Sequence, residues 1–214
     1  MTHRDLAERT SRRAQDERLR VRVAEALGLA GPQKVHLVAL PTAKERMEPV
    51  SQERRELLAA NIEAEFAARK DRTRAPKTPT PLDDASLLAV CGTCRGACCK
   101  WGEDHAYLTR AVLSRVKAER RIASNATLLQ AYLERIPETS REGSCIYHGE
   151  DGCALPRSMR SETCNRFVCH PLKQLGRDFS QPGYAQLAVS SGGEGAERML
   201  LLSDGEARPF RPED

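Results

Sequence analysis

Apolar residues recur along this chain in narrow stripes, not in long runs. Leu19, Val23 and Leu27 stand four apart and mark one face of a helix predicted over residues 4–29, which Gly28, Gly31 and Pro32 then stop. Leu58, Ile62 and Phe66, with Leu57 alongside, draw the stripe of a second helix that Pro49 and Ser51 open. Residues 34–40, between these helices, are apolar and partly β-branched and end at Pro41, as a short extended segment does. Further on, Thr109 caps a predicted helix through about residue 122, and Ser124 or Asn125 caps another through residue 136, ahead of Pro137. Residues 159–169 predict a third short helix or helical turn. Residues 184–190 and 198–202 flank Gly192-Gly193-Glu194-Gly195 and predict a hairpin.

Residues 75–81 read Ala-Pro-Lys-Thr-Pro-Thr-Pro, and each proline biases its predecessor away from helix, so this segment is a linker. The longest apolar runs, such as residues 87–91 and 199–202, fall far short of the ~20 residues that cross a bilayer. Residues 1–13 are polar and charged, with neither the apolar centre nor the cleavage site of an export signal. These features predict a cytoplasmic chain without a membrane partner.

Charge changes the picture at one end only. The net charge is +4, but residues 1–81 hold 17 Lys/Arg against 12 Asp/Glu, and the remainder is near balance. Arg4, Arg9, Arg12, Arg13, Arg18, Arg20 and Arg22 supply much of the excess, interleaved with Asp5, Glu8, Asp16, Glu17 and Glu25 as on a solvated helix face. No recognition motif or aromatic platform accompanies them, which argues against nucleic acid. A protein partner that docks through residues 1–74 is the expected use of this surface. With 4% aromatic and 30% charged residues, the apolar core must be modest.

The candidate chemistry is sulfur. All eight cysteines fall between residues 91 and 169: Cys91, Cys94, Cys98 and Cys99, then Cys145, Cys153, Cys164 and Cys169. In a reducing compartment a dense thiol set points to metal or redox chemistry before disulfides. A C-x2-C pair on a tight turn places two thiolates on one ion, with backbone N–H groups free to donate to the sulfurs and Gly92 and Gly96 free to take positive φ. Adjacent Cys98 and Cys99 fit one tetrahedron poorly and argue for more than one metal or a cluster. Eight thiolates match two zinc sites, two iron-sulfur clusters or a polynuclear site. The vicinal pair also suits a thiol switch or metal transfer.

His105, His148 and His170 lie near cysteines as alternative ligands, although surface or supporting roles outweigh that reading for each. Trp101 and Phe167 are candidates to shield a cluster or, equally, to fill the core, and Arg160 and Arg166 to neutralise thiolates, with an exposed salt bridge as their default role. There is no G-x-S-x-G, H-E-x-x-H or P-loop, so hydrolytic and nucleotide chemistry finds no support. The expected fold is mainly α with irregular metal-stabilised loops. It comprises a basic helical segment (1–74), the linker (75–81), a cysteine-cluster domain (82–175) and a C-terminal β-hairpin with its tail (176–214).

The run Cys-Gly-Thr-Cys-Arg-Gly-Ala-Cys-Cys from Cys91, with Gly143-Ser144-Cys145, Cys153 and Arg160-Ser161-Glu162-Thr163-Cys164 after it, resembles the YkgJ-type CxxCxxxCC family, described as a zinc- or iron-chelating domain. The resemblance spans about residues 88–170 and implies metal ligation by Cys91, Cys94, Cys98, Cys99, Cys145, Cys153 and Cys164. Ser161 stands where the family usually has proline, and Cys169 lies outside the general pattern. A related motif occurs in the flagellin lysine N-methylase, but no methyl-donor fold or glycine-rich nucleotide loop is present here, so an accessory iron-sulfur role in a modification reaction is the furthest this extends.

Overall fold

The computed structural model describes residues 3–68, 82–175, 183–190 and 198–211. In chain order the elements are α1 (His3–Ala26), β1 (Val35–Leu40), β2 (Met47–Pro49), α2 (Gln52–Ala67), α3 (Asp84–Thr93), α4 (Arg110–Glu119) and α5 (Asn125–Leu133). There follow β3 (Thr139–Arg141), β4 (His148–Gly149), β5 (Gly152–Cys153), α6 (Glu162–Arg166), α7 (His170–Leu175), β6 (Ala185–Ser190), β7 (Arg198–Ser203) and β8 (Glu206–Phe210). The chain divides into two compact units, one of Met1–Pro41, Pro81–Thr93 and His170–Asp214, the other of Thr42–Thr80 and Cys94–Cys169. The proline-rich linker and the Gly192–Gly195 loop predicted from sequence lie outside the described residues.

The first unit is built on a four-stranded sheet in the order β1-β6-β7-β8, with β1 parallel to β6 and the other pairs antiparallel. Its inner strands are almost wholly apolar because both faces are covered. On one face, Leu19, Val23 and Ala24 of α1 pack with Val35, Ala185, Leu187, Met199 and Leu201. α3 runs against β6, β7 and β8, and α7 against β1. The stripe on α1 thus faces its own sheet. Helix α1 closes as foreseen: Gly28 takes φ +62°, and the N–H of Leu29 donates to the carbonyl of Ala24 across the turn.

This sheet corrects the expected fold class: the protein is mixed α/β and not mainly α. The 34–40 segment and the predicted hairpin were legible separately, but their union needs Val35 to pair with Ala185, far beyond any local pattern. Strand β8, Glu-Ala-Arg-Pro-Phe, is polar because it is an edge, and Pro209 is tolerated there for the same reason.

The second unit has a helical core. Leu58 and Ile62 of α2 are fully buried against Val112, Leu113 and Val116 of α4 and Leu128 and Tyr132 of α5, while Phe66 packs at the margin and Leu57 stays exposed. Ser51 and Ser124 cap α2 and α5 by accepting from the N–H of Arg54 and Thr127. Tyr132 and Tyr147 are buried without leaving a hydroxyl unmet, since they donate to the carbonyls of Met159 at 2.9 Å and Tyr132 at 3.0 Å. The short hairpin β4–β5 turns at Glu150 and Asp151, the loop tip expected between Cys145 and Cys153.

Candidate functional site

Asp83 begins α3 by accepting from the N–H groups of Ala85 and Ser86, and the hydroxyl and N–H of Ser86 hold its carboxyl below the usual range. The apolar run behind it carries the helix through Thr93. Cys91 therefore lies on the last turn of a helix in the first unit, and the tight turn predicted for Cys91 and Cys94 begins only at Cys94, with Arg95 at φ 55° and Gly96 at φ 72°. Gly92 is helical. The other seven cysteines, Cys94, Cys98, Cys99, Cys145, Cys153, Cys164 and Cys169, all belong to the second unit. Among the described residues no cysteine forms a disulfide.

The seven thiols lie on the turn of residues 94–99, ahead of β4, on β5, on α6 and at Cys169, and several feel one another. Burial raises the Cys94 thiol, and Cys98 and Cys169 raise it further. Burial pushes Cys145 up to about 12, with added repulsion from Cys153 and Cys164. Burial also raises Cys153 and Cys164, each of which feels Cys98. Within the vicinal pair Cys99 donates its S–H to Cys98, which lowers Cys98 to about 7 and raises Cys99 strongly. Cys94 and Cys145 are buried, whereas Cys98 and Cys164 reach the surface.

Three loops repeat one local device. The N–H groups of Gly96 and Ala97 donate to Cys94, that of Tyr147 to Cys145, and that of Leu155 to Cys153. In each case a donor lies two residues beyond the cysteine, and at Cys94 a second lies three beyond, in a turn folded back over its own sulfur. The Ser161 hydroxyl, which caps α6 through the N–H of Cys164, also hydrogen-bonds to the sulfur of Cys164. Such bonds favour the thiolate over the thiol and orient it, as supporting groups do around metal-bound sulfur.

Two glycines make room for this packing. A Cβ on Gly96 would stand 2.9 Å from His148 Nε2 and 3.0 Å from Cys99 Sγ. A Cβ on Gly102, at the end of the 3₁₀ turn Cys99–Gly102, would stand 2.8 Å from Cys145 Sγ. His148 is buried and has both ring nitrogens engaged: Nε2 donates to the carbonyl of Arg95 at 2.6 Å, so Nδ1 accepts from Ser144 Oγ at 2.6 Å. It is a tie between the Cys94 turn and the residue before Cys145, not a ligand. His105 accepts from the N–H of Tyr107, and His170 opens α7 in the other unit.

Arg160 donates to the carbonyls of Leu155 at 2.6 Å and Cys153 at 3.1 Å, and its charge favours the thiolates of Cys153 and Cys164. Arg166 instead pairs with Glu162 at 2.8 Å. Trp101 and Phe167, candidates to shield a cluster or to fill the core, are 63% and 48% exposed. Arg54 gave no sequence signal. From α2 it reaches Asp104 at 2.6 Å, Ser140 Oγ at 2.8 Å and the carbonyl of Ser144 at 2.6 Å, pinning the chain on either side of the cysteine loops.

No family model matches the chain, and neither a curated protein nor a solved structure does. The resemblance to the YkgJ-type family therefore rests on the cysteine motif alone. Among the described residues no three His, Cys, Asp or Glu side chains are placed to clasp an ion as they stand. The donor set is still all sulfur, gathered in one unit, with N–H groups already turned toward three of the sulfurs, and this chemistry fits zinc or iron.

Proposed function

We propose that residues 94–169 form a metal-binding module whose thiolates hold zinc or iron, iron-sulfur included, in a structural or electron-transfer role. The observation that carries this reading is the mutual influence of buried thiols within one unit, with N–H groups folded onto Cys94, Cys145 and Cys153. Buried thiolates repel one another, and a bound cation turns that repulsion into attraction; when bound it supplies either a rigid tetrahedral crosslink or an electron-transfer centre. Cys94, Cys98, Cys99, Cys145, Cys153, Cys164 and Cys169 are the proposed ligand pool, to which the family resemblance adds Cys91. The chain's proposed place is the cytoplasm, and among the described residues no helix is long and apolar enough to cross a membrane. Residues 1–74 remain the proposed contact for a protein partner.

Elemental analysis and absorption spectroscopy of anaerobically purified protein test this reading. Stoichiometric zinc in colourless protein, or iron with a charge-transfer band, is expected, with a reduced content in Cys145→Ser. Protein that folds and retains no metal under these conditions overturns the proposal.

One observation favours a second reading. The S–H of Cys99 already bonds to Cys98, and Cys98 is both exposed and acidic for a thiol. A vicinal pair so arranged suits a thiol switch or metal transfer. Reversible loss of two titratable thiols without metal loss, abolished in Cys98→Ser, is its signature.

A further inference from the structure

Backbone strain gathers in the second unit just after the first cysteine group. Glu103 takes φ +41°, Ala106 +48° and Tyr107 +52°, all in the left-handed region that a residue with a Cβ rarely adopts. Two such residues in succession persist only where the surroundings hold them. Ile146 donates its N–H to the Glu103 carbonyl at 2.9 Å, Arg54 grips the Asp104 carboxylate at 2.6 Å, and Asn61 donates to the Asp104 carbonyl at 3.2 Å. The N–H of Ala106 donates to the carbonyl of Gly102 at 2.6 Å, and Ala106 is buried. What this turn fixes is Tyr107: its N–H donates to His105 Nδ1 at 2.9 Å, and the two rings meet edge-on with centroids 5.1 Å apart.

Tyr107 borders a groove of about 160 Å³ whose lining includes Ser161, Glu162 and Thr163, the three residues directly ahead of Cys164. Among the described residues its hydroxyl makes no hydrogen bond. Burial raises the phenol above its ordinary value, and charge on Cys164, Glu103 and Cys145 raises it further, so it keeps its proton at neutral pH. A phenol that feels thiolate charge and keeps its O–H is a donor with an anion for its acceptor. Cys164 is also a thiol that solvent reaches, whereas Cys145 is buried.

We propose that Tyr107 is a positioning residue of the metal site: it donates its O–H to the Cys164 thiolate and so fixes and shields a ligand that solvent reaches. This rests on the metal reading and adds to it a residue that no sulfur spacing marks. A donated hydrogen bond withdraws charge from sulfur, orients it and lowers its reactivity toward electrophiles. Tyr107 serves as a donor and not as a ligand, because a phenolate there would be opposed by Glu103 as well as by the thiolates.

The test loads the full-length protein and its Tyr107→Phe variant anaerobically with zinc, measures bound zinc by elemental analysis, and follows alkylation by iodoacetamide site by site with mass spectrometry. Tyr107→Phe keeps the ring and loses only the hydroxyl. It is expected to bind the same amount of zinc while Cys164 reacts roughly fivefold faster, the factor that one ordinary hydrogen bond supplies. Cys98, the other exposed thiol among the described residues, is expected to keep its rate, whereas a general loosening would accelerate both. In unaltered protein, zinc is expected to shift the ring Cζ resonance of Tyr107 and to leave in place that of Tyr184, which lies under Lys34 in the first unit. With zinc bound, an unchanged Cys164 rate, an equal rise at Cys98 or a Tyr107 resonance indifferent to zinc overturns this proposal and leaves the metal reading standing. Protein that takes up no zinc overturns both. The resonance needs no variant, so it decides the matter even where Tyr107→Phe fails to fold.

Discussion

Gly96 concentrates two demands in one residue. Its φ of +72° is strained for any side chain, and a Cβ there would meet His148 Nε2 at 2.9 Å, Cys99 Sγ at 3.0 Å and the Gly152 backbone at 3.2 Å. Gly96→Ala is therefore expected to destabilise the second unit by about 1–3 kcal/mol in urea denaturation and to lower metal content. Gly102 lacks the positive φ, so Gly102→Ala acts chiefly by displacing the Cys145 sulfur, which its Cβ would approach to 2.8 Å. It should lower metal content with a smaller stability change. A second expectation concerns Cys98, whose thiol sits near pH 7 because Cys99 donates to it. In metal-free protein, alkylation of Cys98 should rise with a midpoint near pH 7, and Cys99→Ala should move that midpoint upward, as mass spectrometry of the labelled site will show. An unchanged midpoint removes the hydrogen bond as its cause.

At the scale of elements the caps provide a direct contrast. Ser51 and Ser124 each accept from a first-turn N–H, and Ser51→Ala and Ser124→Ala are expected to cost about 1 kcal/mol each. Thr109 occupies the same position on α4 but makes no cap bond, and its buried hydroxyl has no partner among the described residues. Thr109→Val should leave the melting temperature unchanged or raise it, because the hydroxyl is desolvated without return. A loss equal to that of Ser51→Ala sinks this account. These helices were legible because capping and periodicity are local: Ser51, Ser124, Leu58 and Ile62 all took the roles their spacing implied. Strand β8 and the β1–β6 pair were not, since one is a polar edge and the other joins distant segments. In the candidate site, spacing singled out the thiols and Arg160 was named for lying beside them, whereas Arg54 and the tie made by His148 depend on contacts across 50 to 90 residues and leave no periodic trace.

At the scale of the molecule, the two units differ in what holds them. The sheet unit has strands buried on both faces and a core of its own. In the cysteine unit, α2, α4 and α5 pack conventionally, but residues 94–108 and 142–161 carry little regular structure and depend on the Arg54 and His148 bonds and on N–H groups turned onto sulfur. If metal is the missing crosslink, removing it with a chelator should raise amide exchange in those two stretches while β6 and β7 keep their protection. Exchange that is unchanged in both stretches contradicts a structural role for the metal. Acid should act in the same direction. Burial raises the thiols of Cys94, Cys145, Cys153 and Cys164, and ligation requires each to lose its proton. Metal affinity must therefore increase with pH and be lost as pH falls, with proton release on binding. Competition titrations between pH 6 and 8 should show it, and a pH-independent affinity would show that the buried thiols are not the ligands.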